Sequence, residues 1–427
     1  MTTSEHSTLA PLEAWLKEAW DPDLTLRQWW ARLADSGWSQ PHWPVEWFGR
    51  GLTNAEANEA TRVIRDFGAV TAPTGFGTGM AGPTLLVHGT DDQRTRHLPG
   101  MVHGTDAFCQ LFSEPGAGSD LAGLQTRAER DGDDWVVNGQ KVWTSSGQIA
   151  NKAIIVARTN IDVPKHAGIS FFIIDVRQPG VEIRPLREMT GRAYFNEVFI
   201  TDARIPDADL IGGEGNGWAV ANTTLAFERA LSGGGEAGAT AEPGAIAGNL
   251  DRRVGDFVHM GGGAGDHDGS GGQFATLAAL AARTGRNRDP FVRDNLVRLY
   301  SLERLNTLNT LRARALENSG RELAGLPNLA KMAQNHAFRL GREITFSLLQ
   351  AAGMLHAYDQ TSQVALEAEV GIEGLPALVD AALFAQAPPI YGGSDQIQRN
   401  IVGDRVLGLP REPAVDRGVP FRDLLRN

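Results

Sequence analysis

A single cysteine, Cys109, stands in 427 residues, which excludes an internal disulfide and fits a reducing compartment. Alone at the start of an apolar strand, it reads as a buried small residue rather than a nucleophile. Positive charge is also short. The 40 basic residues against 51 acidic ones leave a formal net charge of -11. Nucleic-acid binding needs clustered positive charge, so no such partner is expected. No uninterrupted apolar run reaches bilayer length, so no membrane span is expected. The opening "MTTSEHSTLAPLEAWLKEAW" lacks the apolar core beside a basic start that marks a signal peptide. A soluble cytoplasmic protein is the expectation. The length allows two or three domains with large cores.

The periodicity changes twice along the chain. Up to about residue 107, stretches such as "LEAWLKEAW" and "NEATRVIRDFGAV" space apolar residues three and four apart, as helices do. "PHWPVEWFGRGLT", punctuated by Pro and Gly, reads as a loop between them. From 108 to 218 the period is that of strands: "KAIIVAR", "GISFFIIDV", "VEIRP" and "NEVFITDARIP". "DDWVVNGQKVWTSS" carries Asn138-Gly139, a strong hairpin signal. From 219 the chain is helical again, starting with "GWAVANTTLAFERAL" up to Ser232. A Gly-rich insertion at 232–272 reads as a surface linker, with "NLDRRVGDFVHM" as a piece able to order. "VRDNLVRLYSLERLNTLNTLRARALE" then forms a long helix with Leu at 296, 299, 302, 305, 308 and 311, and two more helices follow near 328–352 and 361–386. The expected domains are therefore 1–107, 108–218 and 219–427.

Two segments carry candidate chemistry. "CQLFSEPGAGSDLAGLQT" packs hydroxyls and small residues into a tight turn whose backbone N–H groups can approach a flat or anionic ligand. It is not a Walker loop, because the Lys-Ser/Thr pair is missing. "NGQKVWTSSG" ends in Trp143, Thr144, Ser145 and Ser146, a ring and hydroxyls able to wall an aromatic cofactor. Taken singly, each segment reads first as ordinary turn or core.

Together with "LAFER" and "GGSDQIQRNIVGDRVLGLPRE", these segments appear in the order and at about the spacing of the acyl-CoA dehydrogenase family, which the chain resembles over nearly its whole length. The resemblance implies an α+β multidomain fold: an N-terminal α-helical domain, a middle β-barrel-like domain and a C-terminal four-helix bundle. It implies FAD and an acyl-CoA thioester dehydrogenated at the α,β bond to the trans-2-enoyl product; no Cys or His in the matched flavin segments "EPGAGSD" and "NGQKVWTSSG" offers a covalent link, so the FAD is expected to be non-covalent. Electron-transfer flavoprotein is the implied electron acceptor, and no metal is implied. Residue by residue, Ser113 matches a hydroxyl beside the flavin ring, with Gln110, Leu111 and Phe112 preceding it along the same edge. Gly118 lies in the same turn, and Ser119 matches a serine at the CoA side. Trp143 matches the tryptophan packed on the flavin, Thr144 follows it, and Ser145 matches the hydroxyl near flavin N5. Ser394 and Gln396 match groups reaching the FAD phosphate or adenosine, while Arg229 and Gly393 fall on the substrate side.

In most members the base is a Glu in the C-terminal turn, where this chain has Gly392. A minority, resembling the isovaleryl and long-chain enzymes, carry Glu directly before the Arg of "LAFER", as Glu228 stands before Arg229 here. The reciprocal exchange implies Glu228 as the base. On composition alone Glu228 reads as a solvated helix residue paired with Arg229 or a Lys neighbour. The missing side chain at Gly392 suggests room for branched or polycyclic acyl groups, such as sterol side-chain or ring thioesters. The family's Arg-x-x-Phe-Gly stretch is replaced by "RTGRNRDPFVRDN", with Arg286, Arg288 and Phe291 at altered spacing. A homo-oligomer, dimer or tetramer, is one expectation. The alternative is an α2β2 assembly in which this chain is a non-catalytic or co-catalytic partner subunit, and a flavin oxidase is a third reading.

Overall fold

The computed structural model describes residues 9–233, 241–258, 272–319, 321, 325–411, 413–414 and 416–424. Five helices come first: α1 (Ala10–Ala19), α2 (Leu26–Asp35), α3 (Asn54–Asp66), α4 (Gly82–His88) and α5 (Asp91–Val102). Thr25, Thr53 and Thr90 each open a helix with a reciprocal capping box, closed by Gln28, Glu56 and Gln93. These pairs satisfy amide groups that the first helical turn leaves without partners. The tryptophans in this region are core residues: Trp29 and Trp30 are buried and donate their ring N–H groups to the Val70 and Thr71 carbonyls.

Eight strands follow: β1 (Phe108–Leu111), β2 (Arg127–Asp131), β3 (Asp134–Ser145), β4 (Lys152–Arg158), β5 (Ile169–Asp175), β6 (Val181–Leu186), β7 (Phe195–Pro206) and β8 (Leu210–Ile211). They form one mixed sheet of order β6-β7-β3-β2-β4-β5-β8, with β1 parallel to β4. One face packs on the first helices through Phe112, Ile154, Phe171 and Ile173, and the other closes over Cys109, Leu111, Trp135 and Phe172. Cys109 is fully buried, and burial pushes its thiol up to about 12, so it is the inert core residue expected.

The hairpin differs from expectation at one point. Asn138-Gly139 is not a turn: β3 runs straight through it, with a register shift against β7 between Val137 and Gly139. The turn lies earlier, where Asp131 pairs with Asp134 around Gly132, whose φ is +64°. Asn138 is instead tied to Asp202 by two hydrogen bonds, and Gly139 passes so close to Thr126 that a Cβ would lie 2.3 Å from its Oγ1. Close backbone approach, rather than turn formation, explains this glycine.

The remaining helices are α6 (Gly217–Gly233), α7 (Gln273–Arg283), α8 (Pro290–Asn318), α9 (Leu326–Leu349), α10 (Gln360–Val370), α11 (Leu375–Phe384) and α12 (Asp395–Ile401). The single helix expected over 361–386 is thus two, broken at Gly371 and Gly374, both at positive φ. α7, α8, α9 and α11 share a core of Leu280, Leu299, Ile344 and Leu375. Within the Gly-rich insertion, 234–240 and 259–271 lie outside the described residues. Its middle piece is ordered: Leu250, Val254 and Phe257 are buried in the first helical core, and Thr25 bridges to Arg253. Three apolar side chains suffice to seat this piece on the tryptophan-rich core. No helix among the described residues is long and apolar enough to cross a membrane.

Candidate active site

α6 carries Val220 and Thr224 on the face it buries. Val220 enters the core between helices and sheet, and the Thr224 hydroxyl lies 2.9 Å from that of Thr84. Glu228 is one further step of four along that face, so the helix delivers its carboxylate into the protein. Gln110, on β1, approaches from the sheet, with its Nε2 donating to Glu228 Oε2 at 3.4 Å. Burial pushes the Glu228 carboxyl above the usual glutamate range, against the opposing pull of that hydrogen bond and of the Arg229 and Lys331 charges.

The turn at Gly392 and Gly393 faces the same carboxylate. Both glycines have positive φ, +61° and +83°. A Cβ placed on Gly392 would lie 3.9 Å from Glu228 Oε1 and 3.7 Å from Lys331 Nζ. The turn is held from behind: Gln398 Nε2 donates to the carbonyls of both Gly392 and Gly393, and Gln398 accepts from Asn328 on α9 at 2.6 Å. Asn335 and Arg339, further along α9, hold Asp395. Asn328, Asn335 and Arg339 thus clamp α12 and its preceding turn onto α9, and Lys331 lies on the same helical stripe.

The opposite wall comes from the sheet. Lys141 is completely buried and donates to Glu114 at 2.9 Å, to the Phe112 carbonyl at 3.0 Å and to the Val156 carbonyl at 2.9 Å. Glu114 also accepts from the backbone amides of Gln125 and Thr126. Burial acts to raise the Glu114 carboxyl, but the Lys141 charge and these hydrogen bonds outweigh it and hold it below the usual range. The network ties the Gly-rich turn to β3. Just beyond, a bulge between Lys141 and Thr144 places Trp143 at φ +61° with 59% of its surface exposed, edge-on to Phe195. The backbone here is in the strained left-handed region, held by the bulge, and the exposed ring is apolar surface that a flat group could cover. The buried Thr144 Oγ1 has no hydrogen-bond partner among the described residues. These features fit one face of a planar aromatic group.

The other expected positions divide clearly. Ser113 and Ser145 are half-buried beside Trp143's strand end, whereas Leu111 and Phe112 turn their side chains into the two cores, leaving only main chain for a ligand. Gly118 and Ser119 are exposed on the turn, and Ser119 Oγ lies 3.5 Å from Ser394 Oγ, so the Gly-rich turn meets the start of α12. Gln396 is exposed and is not brought to Glu228 by any contact found among the described residues, and Ser394 caps α12 through the Ile397 amide. Arg286 is engaged by the Ser347 carbonyl and Asp289, while Phe291 projects from α8. Sequence reading missed Lys331 and Gln398. Their spacing from Asn328, Asn335 and Asp395 is visible, but such a polar stripe reads as a solvated helix face. A cavity of about 200 Å³ opens alongside, lined by Phe76, Phe108, Ser146, Ile149, Tyr194 and Glu242 among others.

A desolvated carboxylate on a helix and an exposed aromatic ring at a strand end thus stand on one helix–sheet–helix frame. Residues 6–105 match the family model for the acyl-CoA dehydrogenase N-terminal domain, and residues 109–203 match that for the acyl-CoA dehydrogenase middle domain. Acyl-CoA dehydrogenase IpdE1 of Mycobacterium tuberculosis is 36% identical over 90% of this chain and 88% of its own length. The chain belongs to the acyl-CoA dehydrogenase family, flavin-dependent oxidoreductases. Among solved structures, the Tcur3481-Tcur3483 steroid ACAD matches with a TM-score of 0.67 and 22% identity, covering 96% of this chain and all of that one. The ChsE4-ChsE5 complex from Mycobacterium tuberculosis matches at 0.64 and 24%, covering 96% of this chain and all of that one. Both similarities speak to the fold.

Proposed function

We propose that this chain is an FAD-dependent acyl-CoA dehydrogenase in which Glu228 removes the α-proton of a CoA thioester. The observation that carries the reading is the Glu228 carboxylate facing the space over Gly392, within van der Waals reach of where a side chain there would begin. A carbon acid next to a thioester is weak, and a desolvated carboxylate is a better proton acceptor than a hydrated one. FAD, when bound, supplies the acceptor for the β-hydride. Trp143, Ser113, Ser145 and the main chain of 110–112 would hold its ring, and Ser119, Ser394 and Gln396 its phosphate-to-adenosine side or the CoA. Arg229 and Gly393 would stand on the substrate side. With the division at residues 107 and 218, the sheet part would supply Gln110 and Trp143 and the last helical part Glu228 and Gly392.

The space that Gly392 leaves open, and the word steroid in the name of one structural neighbour, favour a polycyclic or branched acyl group; electron-transfer flavoprotein as acceptor and a cytoplasmic setting belong to the same proposal. The test is a screen of CoA thioesters with a dye acceptor on the flavin-loaded protein, beside acid precipitation of a separate sample to release its flavin. Substrate-dependent dye reduction with free FAD in the supernatant supports the reading. A nicotinamide in its place sinks it.

A second reading, partner subunit of an α2β2 assembly, draws support from α8. Leu296 and Leu299 are buried, but Leu305, Leu308 and Leu311 on the same helix are exposed. An exposed apolar row of this kind marks a surface for another chain, a sister subunit or a second copy. Flavin bleaching by the chain expressed alone separates the two readings.

A further inference from the structure

We infer that Lys331 is a positioning residue for the base: its ammonium holds the Glu228 carboxylate over the open face of Gly392. The inference rests on the reading of Glu228 as base and adds a residue to that site. Lys331 Nζ and Glu228 Oε1 border one small volume, 3.7 Å and 3.9 Å from a Cβ placed on Gly392. A glycine at 392 leaves both groups facing each other with no side chain between them. Among the described residues Lys331 has no hydrogen bond or ion pair, and its ammonium rests 4.6 Å above the Tyr391 ring. The cation is therefore uncommitted except to that ring and to the charges around it.

Those charges come from every side. β1 contributes Gln110 to the Glu228 carboxylate, and α6 contributes Arg229, itself faced by Arg405. α12 contributes Asp395, already bound by Asn335 and Arg339, and the Gly-Gly turn contributes Tyr391. Among the described residues Arg229 and Lys331 are cations that act on Glu228, and the Lys331 ammonium is the nearest atom to a Cβ placed on Gly392. Burial draws the Lys331 ammonium below the usual lysine range, while Glu228 and Asp395 pull it back. A buried carboxylate that must be ionised to work needs such a counter-charge. A lysine tethered on α9 keeps it near without a short ion pair that would compete with proton abstraction.

The test uses the full-length flavin-loaded protein with Lys331→Met and Lys331→Arg, beside Glu228→Gln. The acid limb of the thioester-driven bleaching rate is expected to move up by about one pH unit or more in Lys331→Met, the lower end of what one opposite charge does to a carboxyl. It should return towards the parent in Lys331→Arg. A second readout needs no turnover. The infrared C=O stretch lost in Glu228→Gln belongs to protonated Glu228, and its titration midpoint should move the same way. If Lys331→Met does not fold, Lys331→Gln carries the same readouts. An unmoved acid limb and an unmoved band, with Glu228→Gln inactive, overturn the role of Lys331 and leave Glu228 as base. Parent-rate bleaching in Glu228→Gln overturns the base itself, and the inference with it.

Discussion

The sheet wall of the site draws Glu114, Lys141, Trp143 and Ser145 from one short stretch of chain, locked by a buried ion pair and paired strands. The helical wall draws Glu228, Lys331 and Gly392 from α6, α9 and the turn before α12, held by side-chain amides and a hydrogen bond at 3.4 Å. The sheet wall offers a fixed surface, with a strained Trp143 that a planar group would cover. The helical wall offers ionisable groups in a desolvated space. Rigidity is needed where a large cofactor must be oriented, and adjustable charge where a proton must move.

Glu228→Gln breaks the helical wall without touching the sheet. Thioester-driven bleaching should fall by about 10²–10⁴-fold, the usual weight of a general base, while flavin content stays at the parent level. As the proposed base Glu228 would work as the carboxylate, so the parent rate is expected to be lost as pH falls through its raised value. The acid limb should therefore lie above the ordinary glutamate range. Stopped-flow absorbance over a pH series checks both, and parent-rate bleaching in the variant rejects Glu228.

Lys141→Met breaks the other wall. It strands the Glu114 carboxylate inside the protein, and losing one partner of a buried pair costs about 3–5 kcal/mol. Denaturant unfolding should show that loss, with weaker flavin retention. A loss below about 1 kcal/mol would mean that the buried pair does not hold the sheet wall together.

The smallest effect is expected from moving the carboxylate across the helical wall, in Gly392→Glu combined with Glu228→Gln. The new Cβ meets Lys331 at ordinary contact distance, but φ +61° disfavours any side chain by about 1–2 kcal/mol. Partial rescue is expected on a short straight-chain thioester and none on a bulky one, read by the same bleaching assay. Rescue on the bulky thioester alone would show that the two positions do not share a substrate space.

Much of the sheet wall was legible in the sequence because its chemistry is local. The strands, the Gly-rich turn and Trp143 follow from short-range pattern, and the family motif set pointed to Glu228 and Gly392. The Asn138-Gly139 turn was misread because a dipeptide that suits a tight turn also suits a close crossing, here against Thr126. The insertion was read as a linker because its glycines outweigh Leu250, Val254 and Phe257 in any local window, although those three are what the tryptophan-rich core takes in.

The sequence by itself determined the periodicities, the position of each motif and the exchange of Glu and Gly between 228 and 392. Only the tertiary structure decided that Glu228 is desolvated, that Gln110 reaches it from β1, and that Lys331 borders the space Gly392 leaves open. Hydrogen-bonded period and chain spacing are properties of neighbouring residues. Burial, and the field one side chain feels from another, depend on which distant segments the packed cores bring together.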